Sequence, residues 1–582
     1  MVGFVERSAE RPAARRTRTT RPHATRGAVL PNRRGPATAT RSRRVRGPLL
    51  ALAAAVLLLP GCYAVQVPGP APERPDQPSD ALGDRAVREG GELVMGLSAE
   101  PDKLDPTTSS SLYTRYVMNT ICEKLYDIDA SGEVVPQLAS ALPTISDGGR
   151  TVTIPVRDGI RFADGTDLDA QAVRTTFERN LTLKTSARRS ELGPISSVEA
   201  KDARTVVVRY ETPFAPLTAA LADRAGMIMS PKALDELGDS FATRPTCVGP
   251  FSFVSRVPQT SITVKRDPLY YAADQVHLDS ITYRIMADAN IRAANLRSGD
   301  IQVADTISTQ DVDALAKERD LGVLQTSSLG YQAMTINLGN VDGAGEPPKQ
   351  IDTPLAKDPR VRLALAYAVD RDALVNSVFN NWYQPACSPI PPTSPYASPA
   401  GEACVPHDPA KARELLQQAG VEIPFPITVK TSNTAESLRF AQALQASLEP
   451  GGFALQIEPV EYSTLLDQQT AGDFDAILLG WSGRIDPHGN MNAFLTTGGG
   501  NNYAGYSNEV VDDGMAEAAR STDTAERAEI YGKVMTQVRE DNPIIYLYRV
   551  RNIAAYTRDV GGVEIFPDAV VRLGRAAFLQ EG

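Results

Sequence analysis

Histidine is scarce: the 582-residue chain has four, and the three beyond its basic start, His277, His407 and His488, stand far apart. No HExxH motif, P-loop or dinucleotide fingerprint occurs, which excludes the motif-bearing zinc hydrolases, nucleotidases and nicotinamide enzymes. No Lys follows a Ser by three residues, so SxxK chemistry is absent too. The nearest approach to a nucleophile elbow is Gly480-Trp481-Ser482-Gly483-Arg484, where Arg replaces the second Gly of GxSxG. The five cysteines form no CxxC pair, which excludes zinc-ribbon and thioredoxin-like sites. Acidic residues are plentiful, but no spacing nominates a catalytic pair. Long apolar runs are missing as well. The best, Pro48–Gly61, has 14 residues, against about 20 for a membrane span.

Charge is unevenly spread. The net −10 combines +11 in residues 1–61, rich in Arg and free of Lys, with −21 in the remainder. An acidic body of that size argues against binding nucleic acid or anionic lipid by charge. A basic segment followed by the short apolar run Pro48–Gly61 has the form of a secretory signal, so residues 1–61 are read as signal. Leu59-Pro60-Gly61-Cys62 resembles a bacterial lipobox, with Pro60 as a departure, and makes Cys62 the expected lipidated residue. The competing readings are an ordinary signal with an incidental Cys and a mitochondrial transit peptide. Residues 62–90, dense in Pro and polar groups, read as a flexible tether, with order expected from Gly91.

Outside the cytoplasm, Cys122, Cys247, Cys387 and Cys404 are free to pair. Cys387 and Cys404 flank an unpatterned Pro-rich segment, and a disulfide is expected there. Cys122 and Cys247 are the remaining two, either bonded or buried as thiols.

From Gly91 on, strand and helix signals intermix. Alternating or β-branched runs at Glu92–Ser98, Arg150–Arg157, Thr205–Tyr210, Ser261–Lys265 and Ile281–Ile285 predict strands. Helical spacing is found at Met118–Tyr126, Asp169–Leu181, Ala289–Ser298, Asp311–Glu318 and Pro359–Phe379. Toward the C-terminus, strands at Ile427–Thr431, Leu455–Val460 and Ala476–Leu479 alternate with helices at Pro409–Ala419, Thr434–Leu448 and Tyr462–Ala471, an α/β pattern. Val510–Arg520 and Asp523–Glu540 complete the helices, the last with Asp523 placed to cap.

Eight segments in order resemble the extracytoplasmic solute-binding proteins of ABC transporters, family 5, the oligopeptide and dipeptide branch. They are Glu100–Pro106 (EPDKLDP), Glu123–Ala139, Asp147–Asp169, Gly249-Pro250-Phe251, Gly299-Asp300-Ile301, Asp358–Ala373, Gly480–Pro487 (GWSGRIDP) and Asn501–Asn508 (NNYAGYSN). Cys247 and Val248 replace the first two residues of the family's GTGPY turn. The resemblance implies an α/β, two-lobed periplasmic-binding-protein fold of type II-like form, with an extra subdomain in the first lobe and hinge strands between the lobes. The expected division is 91–330 with 545–582 as the first lobe and 331–544 as the second. It further implies a monomer that delivers a peptide or peptide-like solute to ABC permease subunits outside the bacterial cell membrane. No enzyme activity, cofactor, metal or nucleic acid is expected. A secreted hydrolase or a sensory binding module on the same scaffold is the alternative.

The resemblance also implies the site. Trp481, Ser482 and Arg484 belong to a cavity-lining segment, and peptide-binding members carry an Asp where this chain has Arg484. A guanidinium accepts no hydrogen bond and repels an ammonium, so it suits an anionic group of the solute. Asp486 either joins that contact or ties Arg484 into an internal ion pair. Tyr113 follows a Ser-rich loop, Tyr331 precedes the inter-lobe strand, and Asn502 and Tyr503 follow three glycines. These four complete the candidate ligand-binding set, each with core packing as the other reading.

Overall fold

A computed structural model of the chain describes residues 74–580. The expected signal, Cys62 and the first part of the expected tether lie outside the described residues.

Two large sheets organise the fold. The first has seven strands in the order Leu321–Ser327, Arg551–Thr557, Val303–Asp305, Glu92–Leu97, Ser280–Ile285, Ser261–Arg266 and Phe251–Val257. Its middle strand, ELVMGL, buries Leu93, Met95 and Leu97 completely and runs parallel to both neighbours. Covered faces of this kind belong to parallel α/β sheets. The second sheet has six strands: Gln384–Pro385, Ile544–Arg549, Tyr331–Ile336, Ala476–Trp481, Phe425–Ser432 and Phe453–Val460. Phe425–Ser432 is parallel to the strands on either side. The helices Ala435–Leu448 and Tyr462–Ala471 supply the crossovers that parallel pairing requires.

The chain passes between the sheets twice, at Ser328–Gly330 and at Val550. Strands Leu321–Ser327 and Arg551–Thr557 pair antiparallel in the first sheet, and Tyr331–Ile336 and Ile544–Arg549 pair antiparallel in the second. Two lobes joined by two adjacent strands follow directly. A four-stranded antiparallel sheet, Thr144–Ser146, Thr151–Pro155, Thr205–Tyr210 and Ile195–Asp202, is the extra subdomain of the first lobe. It packs on helix Ala170–Thr182 around a core of its own that includes Phe162, Phe177, Val206 and Val208.

Several expectations need correction. Residues 74–90 are not free chain: Gln77 bridges to Gln325, Asp76 pairs with Arg551 at 2.6 Å, and Val87–Arg88 forms a strand with Ala577–Leu579. Proline removed the helix signal there, but it does not forbid edge pairing. The return crossing lies at Val550 rather than 545, because Ile544–Arg549 is a strand of the second sheet. The single helix read over Pro359–Phe379 is two, Pro359–Ala368 and Arg371–Phe379, since Asp370 caps the second by accepting from the Ala373 N–H. The helix read at Met118–Tyr126 lies earlier, at Leu112–Ile121, started by Ser111, and Tyr126 begins a strand. Of Asp311–Glu318 only Val312–Leu315 is α-helical.

Both cysteine pairs are bonded, Cys387 to Cys404 and Cys122 to Cys247. The first closes a 17-residue separation and the second 125. Chain-entropy arguments give the first about 3 kcal/mol and the second somewhat more.

Candidate functional site

The site grows from the end of strand Ala476–Trp481. Trp481 is the cross-strand partner of Tyr331, the first residue of the hinge strand. Gly483 follows with φ near +87°, and a Cβ there would lie 2.2 Å from the Leu329 carbonyl carbon. Only glycine lets this loop pass so close to the crossing segment. Asn490 pins the loop: its Oδ1 accepts from the Trp481 indole N–H at 3.1 Å and the Arg484 N–H at 2.7 Å, and its amide donates to the Arg484 carbonyl. The Trp481 ring meets Phe494 edge-on and carries the Arg484 guanidinium 4.2 Å above its face.

The opposing wall belongs to the first lobe. In the EPDKLDP segment, Asp102 accepts from the Ser110 N–H, the Ser109 hydroxyl and Thr114, while Asp105 holds Arg179 through two hydrogen bonds. These carboxylates shape the loop Thr107–Ser111 and present Ser110 to the second lobe. Between the walls lies a cavity of about 60 Å³, lined by Ser110, Tyr331, Tyr462, Trp481, Ser482 and Tyr503 among others. That is room for about two waters, so the lobes are closely apposed.

Four candidates from the sequence, Tyr331, Trp481, Ser482 and Tyr503, meet at this cavity. The others do not line it. Tyr113 hydrogen-bonds Ser98 at 2.9 Å and packs on Tyr462, and burial pushes its hydroxyl up to about 12. Asn502 spends its side chain on the Thr496 and Tyr506 backbone, closing the turn after the glycines. Asp486 binds Arg527 at 2.7 Å and caps the His488 N–H, so the ion pair with Arg484 is not formed.

Arg484 reaches across the lobe junction instead. Its Nε lies 2.5 Å from Asp223, which also pairs with Arg115 at 2.9 Å. Arg115 in turn donates to Ser482 of the second lobe. Burial alone would raise the Asp223 carboxyl, but Arg115, then Arg484 and Arg224, outweigh it and hold it well below the usual carboxylate range. For Arg484 burial prevails over the attraction of Asp223, and its pKa falls to about 10. His488, fully buried beside Arg527 and Phe214, is pushed down to about 4 by burial despite Asp486.

Sequence reasoning missed Asn490, Arg115, Asp223 and Arg224. The last two had a usable signal: they are adjacent charges inside the apolar stretch LTAALADRAGMIMS, where an isolated ion would be costly. Among the described residues no group of three or more His, Cys, Asp or Glu is arranged to hold a metal ion. No described helix is long and apolar enough to cross a membrane.

The family model "Bacterial extracellular solute-binding proteins, family 5 Middle" matches residues 133–502. A glutathione-binding protein, GsiB of Escherichia coli O1:K1, is 29% identical over 494 residues, covering 82% of this chain and 92% of its own length. Among solved structures, AgaA from A. tumefaciens R10 in complex with agropinic acid superposes with a TM-score of 0.76 at 25% identity, covering 84% of this chain and 99% of that one. The Escherichia coli murein tripeptide binding protein MppA gives 0.77 at 22% identity, covering 85% and 100%.

Proposed function

Because this chain belongs to the bacterial extracellular solute-binding proteins of family 5, we propose that it captures a small peptide or peptide-like solute between its lobes and delivers it to the permease of an ABC importer. The observation that carries this reading is the inter-lobe cavity, bounded by Tyr331, Trp481, Ser482 and Tyr503 on one side and Ser110 on the other. Aromatic faces suit the apolar and planar amide parts of a peptide, and the hydroxyls of Ser110 and Ser482 suit its polar groups. Of the relatives named above, one is a glutathione-binding protein and one is in complex with agropinic acid, which supports a solute of that size class. No covalent step is required: opening at Ser328–Gly330 and Val550, capture, and closure make up the cycle. In this reading the mature protein acts as a monomer, held at the outer face of the cell membrane by lipid on Cys62.

Mass spectrometry of what the exported protein releases on mild denaturation tests the solute class. The expected result is one stoichiometric peptide or amino-acid conjugate, absent from a Trp481→Ala preparation. A stoichiometric solute of another class, or none in a protein that also ignores added peptides, contradicts it. For the anchor, Cys62→Ser is expected to move the protein from the membrane fraction to the soluble one; unchanged fractionation contradicts it.

A further inference from the structure

A ribbon of alternating buried charges runs through the first lobe into the junction. Lys124 pairs with Asp127 at 2.5 Å, Asp127 with Arg572 at 3.2 Å, Arg572 with Asp568 at 2.9 Å, and Asp568 with Arg115 at 3.0 Å. Arg115 then meets Asp223 and Asp223 meets Arg484. Glu191 lies 3.9 Å from Arg484 and 2.5 Å from Arg188. The ribbon begins on a cation, beside which Glu123 also lies buried, and it ends on another, Arg188. One more guanidinium, Arg224, stands at that end with no carboxylate within ion-pair distance among the described residues.

Arg188 and Arg224 are both completely buried. Arg188 donates to the Ser109 carbonyl at 3.0 Å and Arg224 to the Ser111 carbonyl at 3.1 Å. They are therefore fixed to the two flanks of Ser110, the residue that lines the cleft cavity. Four guanidinium nitrogens of this group have no hydrogen-bond partner: Arg188 Nε, Arg224 Nε, Arg224 Nη2 and Arg484 Nη2. The acceptors left without one are Glu191 Oε2 and Asp223 Oδ2, and the latter already faces Arg484 Nε. Burial and then the neighbouring Arg188 depress Arg224 to about 9, so it stays charged at neutral pH. Uncompensated buried charge is among the costliest arrangements in a protein.

We propose that Arg188 and Arg224, with Arg484 across the junction, receive a carboxylate of the solute, and that Arg224 sets the preference for acids. This rests on the solute-binding reading above and refines it. Arg484 is then chiefly a tie between the lobes through Asp223, and the anion contact expected of it passes to the group it joins. A carboxylate supplies the acceptors these nitrogens lack, in the planar geometry a guanidinium fork favours. Its arrival also removes the charge imbalance at the point where the lobes meet.

The test is equilibrium dialysis of the full mature protein against a mixed pool of di- to tetrapeptides, offered with free carboxylates or with every carboxyl amidated. The wild type is expected to retain the acids at least about 100-fold over the amides, the size of effect that goes with leaving a buried guanidinium unpaired. Arg224→Met erases that preference, and Arg224→Lys, which keeps the charge but not the fork, keeps part of it. Melting without peptide supplies a second readout, which a purely structural arginine would fail: Arg224→Met melts no lower than wild type, because an unpaired buried cation has been removed. Equal retention of acids and amides by the wild type overturns the carboxylate site and leaves solute binding standing. Retention of neither form overturns the solute-binding reading, and this proposal with it. A lower melting temperature for Arg224→Met, with the acid preference intact in Arg224→Lys and in Arg188→Gln, makes both arginines structural and also overturns it.

Discussion

The two walls of the cleft are built from different materials. The second lobe contributes Tyr331, Trp481 and Tyr503, neutral rings set at the ends of the two middle strands of its sheet and in a loop beside them. The first lobe contributes Ser110, and behind it stand Arg115, Arg188, Arg224, Asp223 and Glu191, buried charges held by loops and short helices. A ring wall binds through contact area, which tolerates many solutes. A charged wall discriminates, because a buried guanidinium rejects what cannot neutralise it. If the carboxylate site proposed above holds, capture falls mainly to the second lobe and selection mainly to the first.

The largest way to break the contrast is to cut the charge ribbon. Asp223→Ala leaves Arg484 without its close partner and Arg115 with only Asp568, and is expected to cost about 3–5 kcal/mol in urea unfolding. The corresponding change on the ring wall, Tyr503→Leu, is expected to cost much less. Reducing the junction of loop and sheet in the second lobe comes next: Cys387→Ser with Cys404→Ser should cost about 3 kcal/mol, read by the same unfolding curves, with peptide retention kept.

Acid separates two sets of buried groups near the junction by pH window. His488 has a depressed pKa, about 4 in the fold against about 6.5 unfolded, so the unfolded chain binds its proton first. Stability from the neutral, buried ring is complete above pH 6.5 and is lost as pH falls toward 4, up to about 3 kcal/mol. Asp568 is depressed to about 2 by Arg572 and Arg115 against the cost of burial, and Asp223 is also depressed. Their contribution is complete above about pH 4 and is lost below it. His488→Gln should flatten the pH 4–6.5 slope of the melting temperature while leaving the decline below pH 4. A variant that retains the upper slope would contradict the assignment.

The smallest effect is within the ring wall. Trp481→Phe removes the indole N–H donated to Asn490 and is expected to cost about 1 kcal/mol, with peptide retention reduced but acid preference unchanged. A loss of acid preference in Trp481→Phe would mean that the two walls do not divide the work.

The walls also differ in how far they could be read from sequence. Strand Ala476–Trp481, helices Ala289–Ser298, Pro409–Ala419 and Tyr462–Ala471, and the Asp523 cap follow from local periodicity and capping chemistry. The GWSGRIDP segment, through its family resemblance, located the ring wall. The charged wall is non-local: Arg115 and Asp568 are 453 residues apart in the chain, and no local pattern records such a pairing. Arg484 was singled out for its sign, which was informative, but its partner Asp223 lies in the other lobe. Asp486, two residues away in sequence, is instead committed to Arg527. Residues 74–90 were misread for a related reason, since their order comes from edges of sheets formed hundreds of residues later.

In the proposed cycle, solute enters between the lobes and rests against the ring wall. The chain has two tryptophans. Trp481 lines the cavity, whereas Trp382 lies under the Arg74 guanidinium and does not line it. In a Trp382→Phe background, emission from Trp481 should change saturably on titration with the peptide pool, with the same midpoint as retention in dialysis. Retention of peptides at full stoichiometry with Trp481 emission unchanged throughout would place the solute elsewhere in the molecule and rule out binding against the ring wall.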